Sequence, residues 1–124
     1  MPTIKLGSDN FDEMVDVEGI CLIDCWASWC QGCGEFAPVF KGASERHSSH
    51  TFATLDTGSE PDLTAKLRVK HIPTLVLFRD GILLFRQPGY VPAEGLDDIV
   101  EKAQRLDMDF VRAEMEKEES TPNV

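Results

Sequence analysis

The chain has 124 residues, the size of one domain that can bury its own core. Twelve Lys and Arg against 22 Asp and Glu give a formal net charge of −10, which disfavours binding to nucleic acids and anionic membranes. No apolar run approaches the ~18 to 20 residues of a membrane-spanning helix, and the first residues lack the pattern of a signal peptide. We therefore expect one cytoplasmic domain with no membrane span and no nucleic-acid partner.

The predicted elements alternate between strands and helices along the chain. Strand patterns occupy residues 3–6, 20–27, 51–57 and 74–85, the last being two strands joined at the turn pair Asp80-Gly81. Apolar residues at helical spacing occupy residues 8–16, 33–43, 59–69 and 96–110. The order βαβαβαββα predicts an α/β fold in which helices cover both faces of a central mixed sheet.

The end of the chain differs in composition from the rest. The last predicted helix, residues 96–110, has one apolar face that should dock on the sheet. Beyond it, "EMEKEESTPNV" (114–124) loses the apolar stripe and ends in Pro and Asn. We predict a domain at residues 1–112, followed by an acidic tail, residues 113–124, that frays.

The segment "CWASWCQGC" (25–33) contains three cysteines, of which Cys30 and Cys33 lie at the predicted start of a helix. A spacing of three residues on the first helical turn brings two sulfurs close enough for a disulfide. The unpaired N–H groups and the helix dipole favour a thiolate on Cys30, which predicts that Cys30 is the nucleophile. Cys33, one turn further in, would then resolve the mixed disulfide.

The alternative interpretation of this motif is half of a zinc site, which needs two further ligands at ~2.0 to 2.3 Å from the metal. Cys21 and Cys25 lie on one predicted strand, roughly 13 Å apart at ~3.3 Å per residue, so both cannot join the pair at one ion. The histidines, His47, His50 and His71, show no paired ligand spacing. We therefore expect no metal, and Cys21 and Cys25 to behave as small buried hydrophobes.

Three segments resemble the thioredoxins in order and spacing. They are "WASWCQGCGEFAPVF" (26–40), "HIPTLVLFRDG" (71–81) and "PGY" (88–90), and the resemblance extends over residues 3 to about 110. It implies the thioredoxin fold. It also implies that Cys30 attacks, that Cys33 resolves, and that Trp29 borders the active-site surface.

The resemblance places Asp24 at the family's buried acid beneath the resolving cysteine. An isolated carboxylate in an apolar strand loses hydration, which raises its pKa and suits it to accept a proton from Cys33. A purely structural buried Asp24 is the alternative.

The resemblance also implies a substrate-binding surface formed by Ile72, Pro73 and Gly89. The proline at this position is cis in the family, which would leave the backbone of Ile72 free to pair with an extended substrate segment. With a trans bond, Pro73 would only start a strand.

The chain departs from the family pattern at several positions. Gln31-Gly32 replaces the usual Gly-Pro between the cysteines, so the redox potential should differ. Thr54 stands where the family commonly has a buried lysine, so Asp24 should be easier to protonate. His71 replaces a small residue before the cis-proline loop and either contacts substrate or has no role.

From the residues and the resemblance together, we expect a monomeric thiol-disulfide oxidoreductase that reduces protein disulfides through Cys30 and Cys33. An NADPH-dependent flavoprotein reductase would re-reduce it, and it needs no bound cofactor. The alternatives are a more oxidising oxidase or isomerase, which the Gln-Gly dipeptide leaves open, and a redox-inactive binding or adaptor module.

Overall fold

The computed structural model describes residues 3–120. Five strands form one sheet: β1 (Ile4–Lys5), β2 (Ile20–Trp26), β3 (Thr51–Asp56), β4 (Thr74–Arg79) and β5 (Ile82–Pro88). The helices are α1 (Phe11–Val15), α2 (Gln31–Arg46), α3 (Pro61–Lys66), α4 (Ala93–Arg105) and α5 (Met108–Ser120). None of the helices in this part of the chain is long and apolar enough to cross a membrane.

The sheet is mixed, as the order of elements predicted. Its strand order is β1-β3-β2-β4-β5. Strand β2 pairs in parallel with β3 and antiparallel with β4, while β5 pairs antiparallel with β4. The central position of β2 explains its apolar run, which Asp24 interrupts, because a central strand is buried on both faces.

Helices cover both faces of the sheet, which confirms the predicted layers. On one face, Phe11 and Val15 of α1 pack with Leu63 of α3. On the other face, α2 and α4 pack against the sheet through the side chains of Phe36, Phe40, Ala43, Leu96, Val100 and Ala103. The alternation along β2 puts Cys21, Ile23 and Cys25 on the first face, and Ile20 and Leu22 on the second.

The turn between β4 and β5 is the predicted hairpin. Asp80 and Gly81 both have positive φ, 52° and 80°, as a two-residue turn of type I′ requires. The Asp80 side chain accepts a hydrogen bond of 2.7 Å from the backbone N–H of Gly19, so the turn is also fixed to the start of β2.

The prediction of one continuous last helix over residues 96–110 was wrong. The chain breaks between α4 and α5, where Leu106 has an extended backbone with ψ 137°. The Arg79 guanidinium donates to the carbonyls of Ala103 and Leu106 at this end of α4. Because Asp107 Oδ1 then accepts from the N–H of Phe110, a second helix starts here.

Because of this break, two apolar residues near the C-terminus are exposed instead of buried against the sheet. Leu106 and Phe110, expected on the docked face, are 42% and 62% exposed. Helix α5 continues to Ser120, so the boundary predicted at residue 112 falls inside a helix. Of the predicted tail, residues 121–124 lie outside the described part, and its fraying in solution stays a prediction.

Candidate active site

The two cysteines of the motif lie at the junction between β2 and α2. Cys30 and Cys33 form a disulfide with a Cα–Cα distance of 5.3 Å. The Cys30 residue is partly exposed, whereas Cys33 is 3% exposed. An external group can therefore approach Cys30 more readily than Cys33.

The start of α2 is capped by the sulfur of Cys30. Cys30 has extended backbone angles, φ −103° and ψ 109°, and its Sγ accepts a hydrogen bond of 3.1 Å from the backbone N–H of Cys33. The first turn of α2 contains no acidic residue that would oppose a negative charge. After reduction, the same N–H and the positive end of the helix dipole would stabilise a thiolate at Cys30.

Asp24 lies beneath this junction, on the face of β2 that α2 covers. It is 2% exposed, and it lies two and four residues after Leu22 and Ile20, which places all three on the same face of the strand. A cavity of about 380 Å³ is lined by both Asp24 and Cys33. The residues that line the cavity are Asp24, Trp26, Ala27, Ser28, Cys30, Cys33, Gly34, Ala37 and Thr54.

The carboxyl of Asp24 is poorly compensated. Its Oδ1 has no hydrogen-bond partner among the described residues. Thr54, its register partner on β3, contributes a hydroxyl side chain and no cation. Burial raises the pKa of Asp24 from 3.8 to about 7, in the predicted direction, so the group exchanges protons near neutral pH.

The loop opposite the dithiol has a cis peptide bond between Ile72 and Pro73, the isomer that the resemblance implied. Pro73 lies against the dithiol turn, because a Cβ on Gly32 would be 3.5 Å from its Cδ. The N–H of Gly89, where φ is +92°, donates a bond of 2.8 Å to the Pro73 carbonyl. Within residues 3–120, the backbone of Ile72 makes no hydrogen bond and precedes β4, so it is free to pair with another chain.

Trp29 stands at the rim of the site with 72% of its surface exposed. Its ring lies over Gly58, where an added Cβ would come within 2.9 Å of the ring. The Asp56 carboxylate accepts from the N–H of Gly58 and holds this loop in place. Sequence reasoning missed Gly58, although the pairing of Trp26 with Asp56 brings the two loops together once the register is known.

The family model described as Thioredoxin matches residues 2–104. The chain belongs to the thioredoxin family. A protein named putative thioredoxin 2 from Streptomyces coelicolor is 39% identical over 110 residues, covering 89% of this chain and 82% of that protein. A thioredoxin from Staphylococcus saprophyticus is 35% identical over 103 residues, covering 82% of this chain and 98% of that protein.

The fold is similar to solved thioredoxin structures. A mutant thioredoxin from Halobacterium salinarum superposes with a TM-score of 0.77 at 27% identity, over 84% of this chain and 92% of that one. Thioredoxins are thiol-disulfide oxidoreductases, and this chain has the paired cysteines that the activity needs. The chain is therefore a thiol-disulfide oxidoreductase. The family generally reduces disulfide substrates and is served by thioredoxin reductase.

The other two cysteines do not line the cavity beside the dithiol. Cys21 and Cys25 are fully buried, and neither forms a disulfide. Burial raises the pKa of each thiol to about 12, and the negative charge of Asp24 adds to the effect at Cys25. They pack as small hydrophobes in the core, as the sequence predicted.

The three histidines are dispersed. His47 Nε2 lies 2.7 Å from Asp97 Oδ1, His50 contacts Gln104, and His71 is exposed beside the cis-proline loop. In the part of the chain that the structure describes, no three His, Cys, Asp or Glu side chains converge as metal ligands. The absence of a bound metal stays a prediction.

Proposed function

We propose that the protein works in the reducing direction and transfers two electrons from its dithiol to disulfides of other proteins. The observation that carries the proposal is the asymmetry of the pair. Cys30 is accessible and caps α2, whereas Cys33 is covered and shares a cavity with the carboxyl of Asp24.

In the first step, the Cys30 thiolate attacks one sulfur of the substrate disulfide. A bond forms between that sulfur and Cys30 Sγ, the substrate disulfide breaks, and the second substrate sulfur leaves as a thiolate that takes a proton from solvent. The N–H of Cys33 supports the attacking thiolate, and the free backbone of Ile72 pairs with the substrate segment next to it.

In the second step, Cys33 loses its proton and attacks Cys30 Sγ. The internal disulfide forms, the mixed disulfide bond breaks, and the first substrate sulfur, which was bonded to Cys30, leaves as a thiolate. The substrate has then gained two electrons and the protein has lost two. The Asp24 carboxylate is the proton acceptor for Cys33, across the cavity that both side chains line. Its pKa of about 7 suits an acceptor at neutral pH.

The oxidised protein must then be re-reduced. The proposed electron donor is an NADPH-dependent flavoprotein reductase, since thioredoxin reductase generally serves this family. The proposed compartment is the cytoplasm. The dithiol itself stores the two electrons, so the proposed cycle needs no cofactor bound to this chain. We propose that the protein acts as a monomer on substrate proteins.

The decisive experiment is to equilibrate the protein with glutathione buffers and measure its redox potential, together with reduction of insulin disulfides. A potential near −270 mV, the value typical of thioredoxin, with rapid insulin reduction would support the reducing role. A potential near −120 to −180 mV would instead assign an oxidase or isomerase role, and a dithiol that does not equilibrate would assign a redox-inactive module.

A further inference from the structure

The Lys and Arg residues of this acidic protein differ in whether they form an ion pair with a carboxylate. Half of its twelve Lys and Arg residues form ion pairs with carboxylates, namely Arg46, Lys66, Lys102, Arg105, Arg112 and Lys117. Within residues 3–120, the cations that form no ion pair with a carboxylate are Lys5, Lys41, Arg68, Lys70, Arg79 and Arg86. The guanidinium of Arg79 donates to backbone carbonyls at the C-terminal end of α4.

Three of these unneutralised cations converge on the segment that leads into the cis-proline loop. Arg68 and Lys70 are exposed members of that segment. Arg86 of β5 joins them, because its Nε donates to the carbonyl of Leu67. We call Arg68, Lys70 and Arg86 the basic strip.

The basic strip adjoins the backbone that is free to bind substrate. The Cα of Lys70 is two residues from that of Ile72, a span of at most about 7 Å. His71 lies between them, exposed, and its carbonyl accepts from the hydroxyl of Thr74, which fixes the loop. Residues of an extended chain paired with Ile72 therefore lie near Lys70, the member of the strip closest to Ile72 along the sequence.

The helix side of the dithiol has the opposite charge. Glu35 is exposed in α2, and Asp56 lies under the loop that Trp29 covers. The dithiol therefore has the acidic residues Glu35 and Asp56 on one side and the basic strip on the other. This polarity favours a substrate segment whose acidic residues are on the strip side.

We propose that the basic strip binds the acidic flank of the substrate segment, so that the protein prefers disulfides with Asp or Glu on one side of the attacked cysteine. This inference rests on the proposed reducing function. It adds to that function a specificity determinant that acts through charge and is therefore weakened by salt.

The test uses disulfide peptides that differ only in the two residues beside the attacked cysteine, which are Asp-Asp, Asn-Asn or Lys-Lys, placed on either flank. The rate constant of each peptide with the reduced protein is divided by its rate constant with dithiothreitol, which removes differences in intrinsic reactivity. On one flank, the Asp peptide should react roughly three- to tenfold faster than the Asn peptide at about 0.01 M salt, and less so at about 0.15 M.

Two double variants with equal net charge separate the strip from the overall charge. Arg68→Gln with Lys70→Gln should abolish the preference while the Asn peptide keeps its rate. Lys5→Gln with Lys41→Gln, which removes unpaired cations from β1 and α2, should retain the preference.

The outcomes distinguish the inference from the function on which it rests. Equal normalised rates for all peptides, or an equal loss in both double variants, would overturn the basic strip as a determinant. Failure of the wild type to reduce even the Asn peptide would instead overturn the proposed reducing function.

Discussion

Two pairs of cysteines lie within 13 positions of the chain, and their environments give them opposite chemistry. Cys21 and Cys25 are four residues apart on β2, fully buried and separate. Cys30 and Cys33 are three residues apart at the start of α2 and bonded to each other. The difference shows that the element carrying a thiol matters as much as the spacing.

Geometry and polarity both contribute to this difference. A strand rises ~3.3 Å per residue, so thiols four apart on one face cannot meet, whereas one helical turn brings residues three apart together. Strand β2 already uses its N–H groups in the sheet, while the first turn of α2 has an N–H directed at Cys30 Sγ. Only the second setting favours a reactive thiolate.

Removing one thiol of the reactive pair should have the largest effect on the disulfide-reducing activity. Cys30→Ser should lower insulin reduction by a factor of at least about 1,000, because no other described thiol has both exposure and a helix-start donor. Cys33→Ser should accumulate mixed disulfides through Cys30, detected by mass spectrometry. Trapping through Cys33 in an active Cys30→Ser protein would reverse the two roles.

Alkylation rates should separate the two pairs directly. In the reduced protein at pH 7, iodoacetamide should modify Cys30 at least about 1,000-fold faster than Cys21 or Cys25, whose pKa values of about 12 leave almost no thiolate. Peptide mass mapping over time gives the order, and labelling in denaturant is the control in which the difference should vanish. Early labelling of Cys25 in the folded protein would contradict its burial.

Asp24→Asn should stabilise the oxidised protein by about 2 to 4 kcal/mol at pH 8. Because burial raises the pKa of Asp24 from 3.8 to about 7, the folded state binds the proton more tightly than the unfolded chain. The contribution of Asp24 to the free energy of unfolding of the wild type is therefore fully present below pH ~4. It is lost as the pH rises to about 7.

Urea unfolding of both proteins from pH 4 to 8 measures this effect, and the variant should lose the dependence on pH in that window. Its disulfide exchange should also be slower, since Cys33 loses its proton acceptor. Equal stability at pH 8 together with unchanged turnover would show that Asp24 is neither an uncompensated buried acid nor the proton acceptor.

The smallest expected effect concerns the buried pair. Cys21→Ala and Cys25→Ala should each lower the free energy of unfolding by about 1 kcal/mol, because a sulfur is removed from a packed core. The rate of insulin reduction should stay unchanged in both variants. A large loss of activity with little loss of stability would give these thiols a chemical role and end the contrast with Cys30 and Cys33.

Much of the fold and part of the site followed from local patterns. The apolar run of β2, the Asp80-Gly81 hairpin and the start of α2 after Cys30 were all predicted and are present. The single last helix was the wrong prediction, because the apolar spacing continued across Leu106 and hid the capping role of Asp107. A competing cap outweighed the periodicity at that point.

The sequence by itself determined the features whose causes lie within a few residues. The spacing of Cys30 and Cys33 and the place of Asp24 in an apolar strand are of this kind, because helix geometry and burial on a central strand act locally. Resemblance to the thioredoxins supplied the substrate loop at Ile72-Pro73.

Only the tertiary structure decided which distant groups meet. Parallel pairing of β2 with β3 puts Gly58 under Trp29 and Thr54 beside Asp24, and the β4–β5 hairpin brings Arg86 to the carbonyl of Leu67. These contacts join residues that are 19 to 30 positions apart. Their formation depends on strand order and register, which no local spacing encodes.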